Sequence, residues 1–127
     1  MRKGFTLLEL IVVIIIIGIL GTLGFTQYAR VVEKGRTAEA KTLLGQMRSA
    51  QEAWRLESGS YTSDVTDLAV EVPTACVATH YFQYSTSATV GTATRCTASG
   101  KSPDGDAAYT VTLDIAAGTW SGSPGYF

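Results

Sequence analysis

Met1-Arg2-Lys3-Gly4-Phe5-Thr6-Leu7-Leu8-Glu9-Leu10-Ile11-Val12-Val13-Ile14-Ile15-Ile16-Ile17-Gly18-Ile19-Leu20-Gly21-Thr22-Leu23-Gly24-Phe25 begins the sequence, and between Phe5 and Phe25 only Glu9 is charged. From Leu10 onward the run is apolar apart from Gly and Thr. A helix over residues 5–25 rises about 1.5 Å per residue, to roughly 30 Å, the thickness of a bilayer's hydrocarbon core. Arg2 and Lys3 hold the N-terminus on the cytoplasmic side while this segment inserts. A secretory signal peptide needs a small-residue cleavage site after its apolar core, and Gly21-Thr22-Leu23-Gly24 is a poor one. The chain beyond it continues in a helical pattern, which favours a retained anchor.

Glu9 is the chemically unusual residue. A carboxylate in an apolar helix costs about 2.5–3.5 kcal/mol at the bilayer centre, so it is a functional candidate by default. It either snorkels to the interface near the helix end or pairs with an amine buried beside it. No Lys or Arg lies between residues 4 and 29, so only a freshly cut N-terminus supplies such an amine. Gly18, Gly21 and Gly24 have three readings: close helix approach, a stretch able to unwind, or glycines simply tolerated in a membrane helix.

The short segment Gly4-Phe5-Thr6-Leu7-Leu8-Glu9, after a basic leader and before an uninterrupted apolar run, resembles the prepilin cleavage and methylation motif of type IV pilins and type II secretion pseudopilins. The resemblance implies cleavage after Gly4 by a membrane-embedded prepilin peptidase and N-methylation of the new N-terminus, Phe5. Glu9 then falls at the fifth mature position, where the family's glutamate aligns an incoming subunit by pairing with an N-terminal amine. The implied function is a structural subunit of a type IV pilus, drawn from membrane lipid into a helical homopolymer by an inner-membrane assembly platform. The precursor is expected in the bacterial inner membrane, single-pass with its N-terminus cytoplasmic, and the filament in the periplasm or at the cell surface. The family often carries proline where Thr26 stands, and this chain departs from that pattern.

Past the apolar run, residues 27–57 turn amphipathic: Ala40, Leu43, Met47, Ala50 and Trp54 recur at spacings of three and four, with Arg48, Glu52 and Arg55 on the other face. No proline occurs before Pro73, so one helix of some 50 residues, about 80 Å, is expected. Ser58-Gly59-Ser60 stops it, and residues 62–80 read as a linking loop with Asp64, Asp67 and Pro73 as turn formers. Strands are expected over 81–85, 93–98 and 108–115, with 119–121 pairing back after a turn at Ala116-Ala117-Gly118. In the third strand Tyr109, Val111, Leu113 and Ile115 share a face, expected to bury with Trp54 and Met47. The fold class is therefore α+β: a long N-terminal helix packed on a small C-terminal antiparallel sheet. Its expected parts are a leader (1–4), a transmembrane and filament-core helix (5–26), its amphipathic continuation (27–57) and a globular head (58–127).

Composition bounds the rest. Ten basic and eleven acidic residues leave no basic stripe, which argues against nucleic acid. Residues 30–57 carry six Lys/Arg against four Glu, and 58–127 carry two basic against six acidic residues. Cys76 and Cys96 form a disulfide by default if the head lies outside the cytoplasm, worth about 3 kcal/mol, and are two ordinary thiols if it does not. His80 is the only histidine, so no metal site is expected, and no cofactor either. Asp104 and Asp106 lack the further acids of a calcium loop and read as a turn within Lys101-Ser102-Pro103-Asp104-Gly105-Asp106. No nucleophile elbow, P-loop or dinucleotide fingerprint occurs, so nothing points to an enzyme.

Two alternatives remain. A pseudopilin of a type II secretion system shares the N-terminal motif, but its major form carries an acidic calcium loop near the C-terminus. Here no acid follows Asp114. An uncleaved, membrane-anchored binding domain needs neither Gly4-Phe5 nor Glu9.

Overall fold

The computed structural model describes residues 3–97 and 108–127. Helix α1 (Leu7–Ser58) leads to a 3-10 turn (Val65–Asp67) and strands β1 (Phe82–Thr86), β2 (Val90–Arg95), β3 (Thr110–Asp114) and β4 (Trp120–Gly122). The chain divides into two compact units, Met1–Val32 and Glu33–Phe127. The connector Lys101–Asp106, with Asp104 and Asp106, lies outside the described residues.

In the first unit α1 is unbroken through Gly18, Gly21, Gly24 and Thr26. Its most apolar window has a mean hydropathy of 2.7, enough by length and composition to cross a membrane. The two hydroxyls in this stretch bond back to the helix: Thr22 Oγ1 donates to Gly18 O at 2.8 Å and Thr26 Oγ1 to Leu23 O at 3.0 Å. Neither is left orphaned in an apolar surrounding, where an unpaired polar group is costly. The large side chains from Phe5 to Phe25 are all exposed.

In the second unit the four strands form an antiparallel meander, β1-β2-β3-β4. One face alternates buried residues: Phe82 and Tyr84 on β1, Gly91, Ala93 and Arg95 on β2, Val111 and Leu113 on β3. α1 turns Glu33, Thr37, Ala40, Leu44, Met47 and Gln51 inward, at spacings of four and three. The core joins Ala40, Leu44 and Met47 to Phe82, Tyr84, Ala93, Tyr109, Val111 and Leu113, with Val65 from the connecting segment. Gly91 is small because the helix lies close over β2. A Cβ there would meet Leu44 Cδ2 at 3.2 Å.

The helix stop is a left-handed glycine: Gly59 has φ +87° and its N–H reaches Arg55 O at 2.8 Å. Gln51, fully buried, then clamps the returning chain. Its amide donates to Thr62 O at 2.7 Å and to Thr86 Oγ1 at 3.1 Å, and its Oε1 accepts from Thr62 N at 3.1 Å. The expected turn at Ala116-Ala117-Gly118 is present, with Asp114 Oδ1 accepting from Ala117 N at 2.7 Å.

Two expectations need correction. The buried stripe runs through Leu44, with the expected Leu43 only partly buried against it, while Ala50 and Trp54 are half-buried and outside the core cluster. The apolar periodicity misplaced the stripe because both of its ends are polar residues, Glu33 and Gln51. The second strand begins at Val90 and ends at Arg95, so Cys96 lies just past it. Glycine and hydroxyl residues conceal its first half from a propensity reading, and pairing with β1 and β3 overrides their weak preference.

Truncating the well-packed Leu44→Ala should cost about 2–5 kcal/mol, whereas Leu56→Ala, at an exposed helix position, should stay within about 0.5 kcal/mol. Urea unfolding of the full chain in detergent micelles, followed by near-UV circular dichroism, reads both.

Candidate functional site

The segment around residues 4–9 is organised by a helix cap. Thr6 precedes the first helical residue, and its Oγ1 accepts from Glu9 N at 3.2 Å. Thr6-Leu7-Leu8-Glu9 therefore has the spacing of a capping box, in which the hydroxyl satisfies one of the orphan donors of the first turn. Thr6 O accepts the first helical hydrogen bond, from Leu10 N at 3.2 Å. Gly4 and Phe5 consequently lie outside the helix, in exposed, non-helical backbone. Glu9 sits in the first turn, where the helix dipole favours a negative charge. No ion pair of its carboxylate occurs among the described residues.

The second unit carries a buried ionic cluster that the sequence did not flag. Glu33 and Arg95 are 5% and 1% exposed. Arg95 Nε donates to Glu33 Oε1 at 2.5 Å, and Arg36 Nη1 donates to Glu33 Oε2 at 3.0 Å. Tyr109 Oη donates to Glu33 Oε1 at 2.7 Å. Arg95 Nη1 donates to Cys96 O at 2.6 Å, and the Tyr81 ring has the Arg36 and Arg95 guanidinium carbons at 4.5 and 5.1 Å from its centroid. Tyr109 in turn stacks on Tyr126 with centroids 3.9 Å apart. Burial alone raises the Glu33 carboxyl, but hydrogen bonds from Arg95 and Tyr109 and the charges of Arg95 and Arg36 outweigh it and hold the group below its ordinary value. Burial, then the bond to Glu33, pushes the Tyr109 hydroxyl up.

Cys76 and Cys96 are joined by a disulfide, with Cα atoms 5.7 Å apart. The bond ties the segment before β1 to the end of β2, directly beside Arg95. His80 Nδ1 lies 2.9 Å from Thr79 Oγ1 on a partly exposed loop.

A family model described as type IV pilin-like G and H matches residues 37–112. A second, the prokaryotic N-terminal methylation motif, matches residues 1–25. The chain belongs to the type IV pilin-like family. No curated protein matches it. The pilin-like match covers Thr37 of the helix stripe, the disulfide, Arg95 and Tyr109, and the methylation-motif match covers Gly4, Phe5, Thr6 and Glu9. Motif and apolar helix together support a membrane-anchored precursor.

Glu33 escaped notice because one glutamate among many helix charges has no sequence signature. The available signal was on the other side: Arg95 is one of only two basic residues after Ser58, and its place two residues from Ala93 puts it on the inward face of β2.

Removing one member of a buried pair strands the other charge, so Glu33→Ala should destabilise the second unit by about 3–5 kcal/mol. The depressed carboxyl also fixes the sign of the pH dependence. Its contribution is complete above the ordinary glutamate value of 4.5 and is lost as pH falls from there through the lower folded value. Urea midpoints taken from pH 7 to pH 3 should decline in the native protein below that value, and Glu33→Gln should flatten this decline.

Proposed function

We propose that this pilin-like chain is a structural subunit of a type IV pilus. It is made as a membrane-anchored precursor, cleaved after Gly4 by a prepilin peptidase and polymerised through its N-terminal helix. The observation that carries the reading is the cap at Thr6, which keeps Gly4-Phe5 in non-helical, accessible backbone directly ahead of an exposed apolar helix. A peptidase needs an unwound scissile bond, and cleavage there leaves Phe5 as a new amine one helical turn from Glu9. The amine and Glu9 then supply the opposite charges that an apolar filament core demands in pairs. The exposed residues from Phe5 to Phe25 exchange lipid for like helices, and the disulfide-tied second unit forms the outer surface. The family is structural, and the energy for assembly comes from a platform outside this chain.

The pseudopilin reading shares all of this chemistry. The pilus is preferred because residues 115–127 contain no Asp or Glu, so this stretch lacks the side chains of a calcium loop.

Protein recovered from sheared surface filaments should begin at Phe5 and carry one added methyl group by intact mass. Filament found only in the periplasm would favour the pseudopilin. Gly4→Val should leave the chain uncleaved in the membrane. Glu9→Ala should leave it cleaved there, with filaments absent or sparse by electron microscopy. Normal filament yield from Glu9→Ala would remove the role given to that residue.

A further inference from the structure

The second unit has an open groove of about 640 Å³ between the outward side of α1 and the edge of the sheet. Gly45, Arg48, Ser49, Glu52, Ala53 and Leu56 line it from the helix, and Leu113, Gly118 and Trp120 from the sheet. The pilin-like assignment does not rest on it.

Arg48 is held in place at the groove by two features. Its Nε donates to Ile115 O at 2.8 Å. Its guanidinium lies flat against Gly118, where an added Cβ would meet Cζ, Nη1 and Nη2 all at 3.0 Å. Gly118 is required twice over, by this contact and by its φ of +71°. The Nη atoms of Arg48 make no hydrogen bond among the described residues, and the residue lines the groove, so a positioned, planar two-pronged donor stands at its wall. A fork of this kind matches a carboxylate in bidentate fashion.

The wall beside it is aromatic. Trp120 is 37% exposed, with Lys41 Nζ 5.9 Å from its ring centroid. Glu52 is the one carboxylate lining the groove among the described residues, and it is already engaged. Its Oε2 accepts from Arg55 and its Oε1 from Tyr61 Oη at 2.7 Å. Among the lining residues Arg48 is the one cation, and Lys41 adds a second beside Trp120.

We propose that this groove binds an acidic saccharide, a pyranose carrying a carboxylate within an otherwise neutral glycan. The carboxylate pairs with Arg48, the apolar C–H face of a sugar ring stacks on Trp120, and Ser49 Oγ and the remaining lone pairs of Glu52 accept from hydroxyls. The groove is open at its ends, which suits a segment of polymer, and its volume is in the range of ligand sites. One fixed cation beside one aromatic face fits an isolated charge next to a flat ring. A nucleic-acid strand, with one charge on every nucleotide, asks for a row of cations, and the groove lining offers only Arg48 among the described residues. The site does not depend on the pilus reading, and a filament would only multiply it.

The test is calorimetric titration of the full chain in detergent micelles with a hyaluronan hexasaccharide, whose glucuronates alternate with neutral sugars. Saturable binding is expected, with the neutral chitin hexasaccharide at least about tenfold weaker, the equivalent of one charge-assisted hydrogen bond. Arg48→Gln and Trp120→Ala should each weaken binding by about tenfold or more. Trp120→Ala alters an exposed edge position, so it tests the site even if Arg48→Gln unfolds. The proposal is overturned by no saturable binding at millimolar ligand, on the order of the weakest specific affinity. Equal affinity for the neutral hexasaccharide, undiminished binding in Trp120→Ala, or tighter binding of a thymidine decamer would overturn it equally.

Discussion

The contact between one helix stripe and one sheet face carries the second unit: among the described residues α1 covers the inner face of the meander, with Val65 of the connecting segment filling in beside it. That stripe is closed at one end by Glu33 and at the other by Gln51, and both are polar. Between them Ala40, Leu44 and Met47 supply the apolar contact. Hydrophobic burial gives the attraction, but it is non-directional and would tolerate sliding of the helix along the sheet. The ion pair to Arg95 and the three hydrogen bonds of the Gln51 amide fix the register. Each leaves a costly buried orphan if the helix shifts by a turn.

The same arrangement explains where the disulfide sits. Arg95 is the last residue of β2 and Cys96 the next, so the cross-link is anchored beside the charge pair. Arg95 donates to the carbonyl of Cys96, and Tyr109 bridges Glu33 to the stacked Tyr126. A small head with a marginal core is thereby held by three different kinds of interaction at one corner. In the first unit the logic is opposite. There the apolar side chains from Phe5 to Phe25 find no partner among the described residues, and their length and composition suit burial in a membrane.

The helix surfaces of the second unit divide by chemistry. Inward positions are committed to the sheet, while Gly45, Ser49 and Ala53 form a low outward strip beside Arg48 and Trp120. Small residues on that strip keep the groove open, and the turn at Gly118 seats the guanidinium that is the groove's cation.

The sequence by itself determined the apolar helix, the methylation motif over residues 1–25, the isolated Glu9, the glycine stop at Gly59 and the inward face of Tyr109, Val111, Leu113 and Ile115. Each of these is local: a run length, a spacing or a period-two alternation that the backbone reads without help. Only the tertiary structure decided which helix residues meet the sheet, because polar residues at both ends of the stripe hide its phase from a count of apolar side chains. The same holds for Glu33 with Arg95, 62 positions apart, and for Arg48 with Ile115 and Gly118. Such pairs are set by register between distant elements, and a charge in a sequence carries no mark of the partner that will bury it.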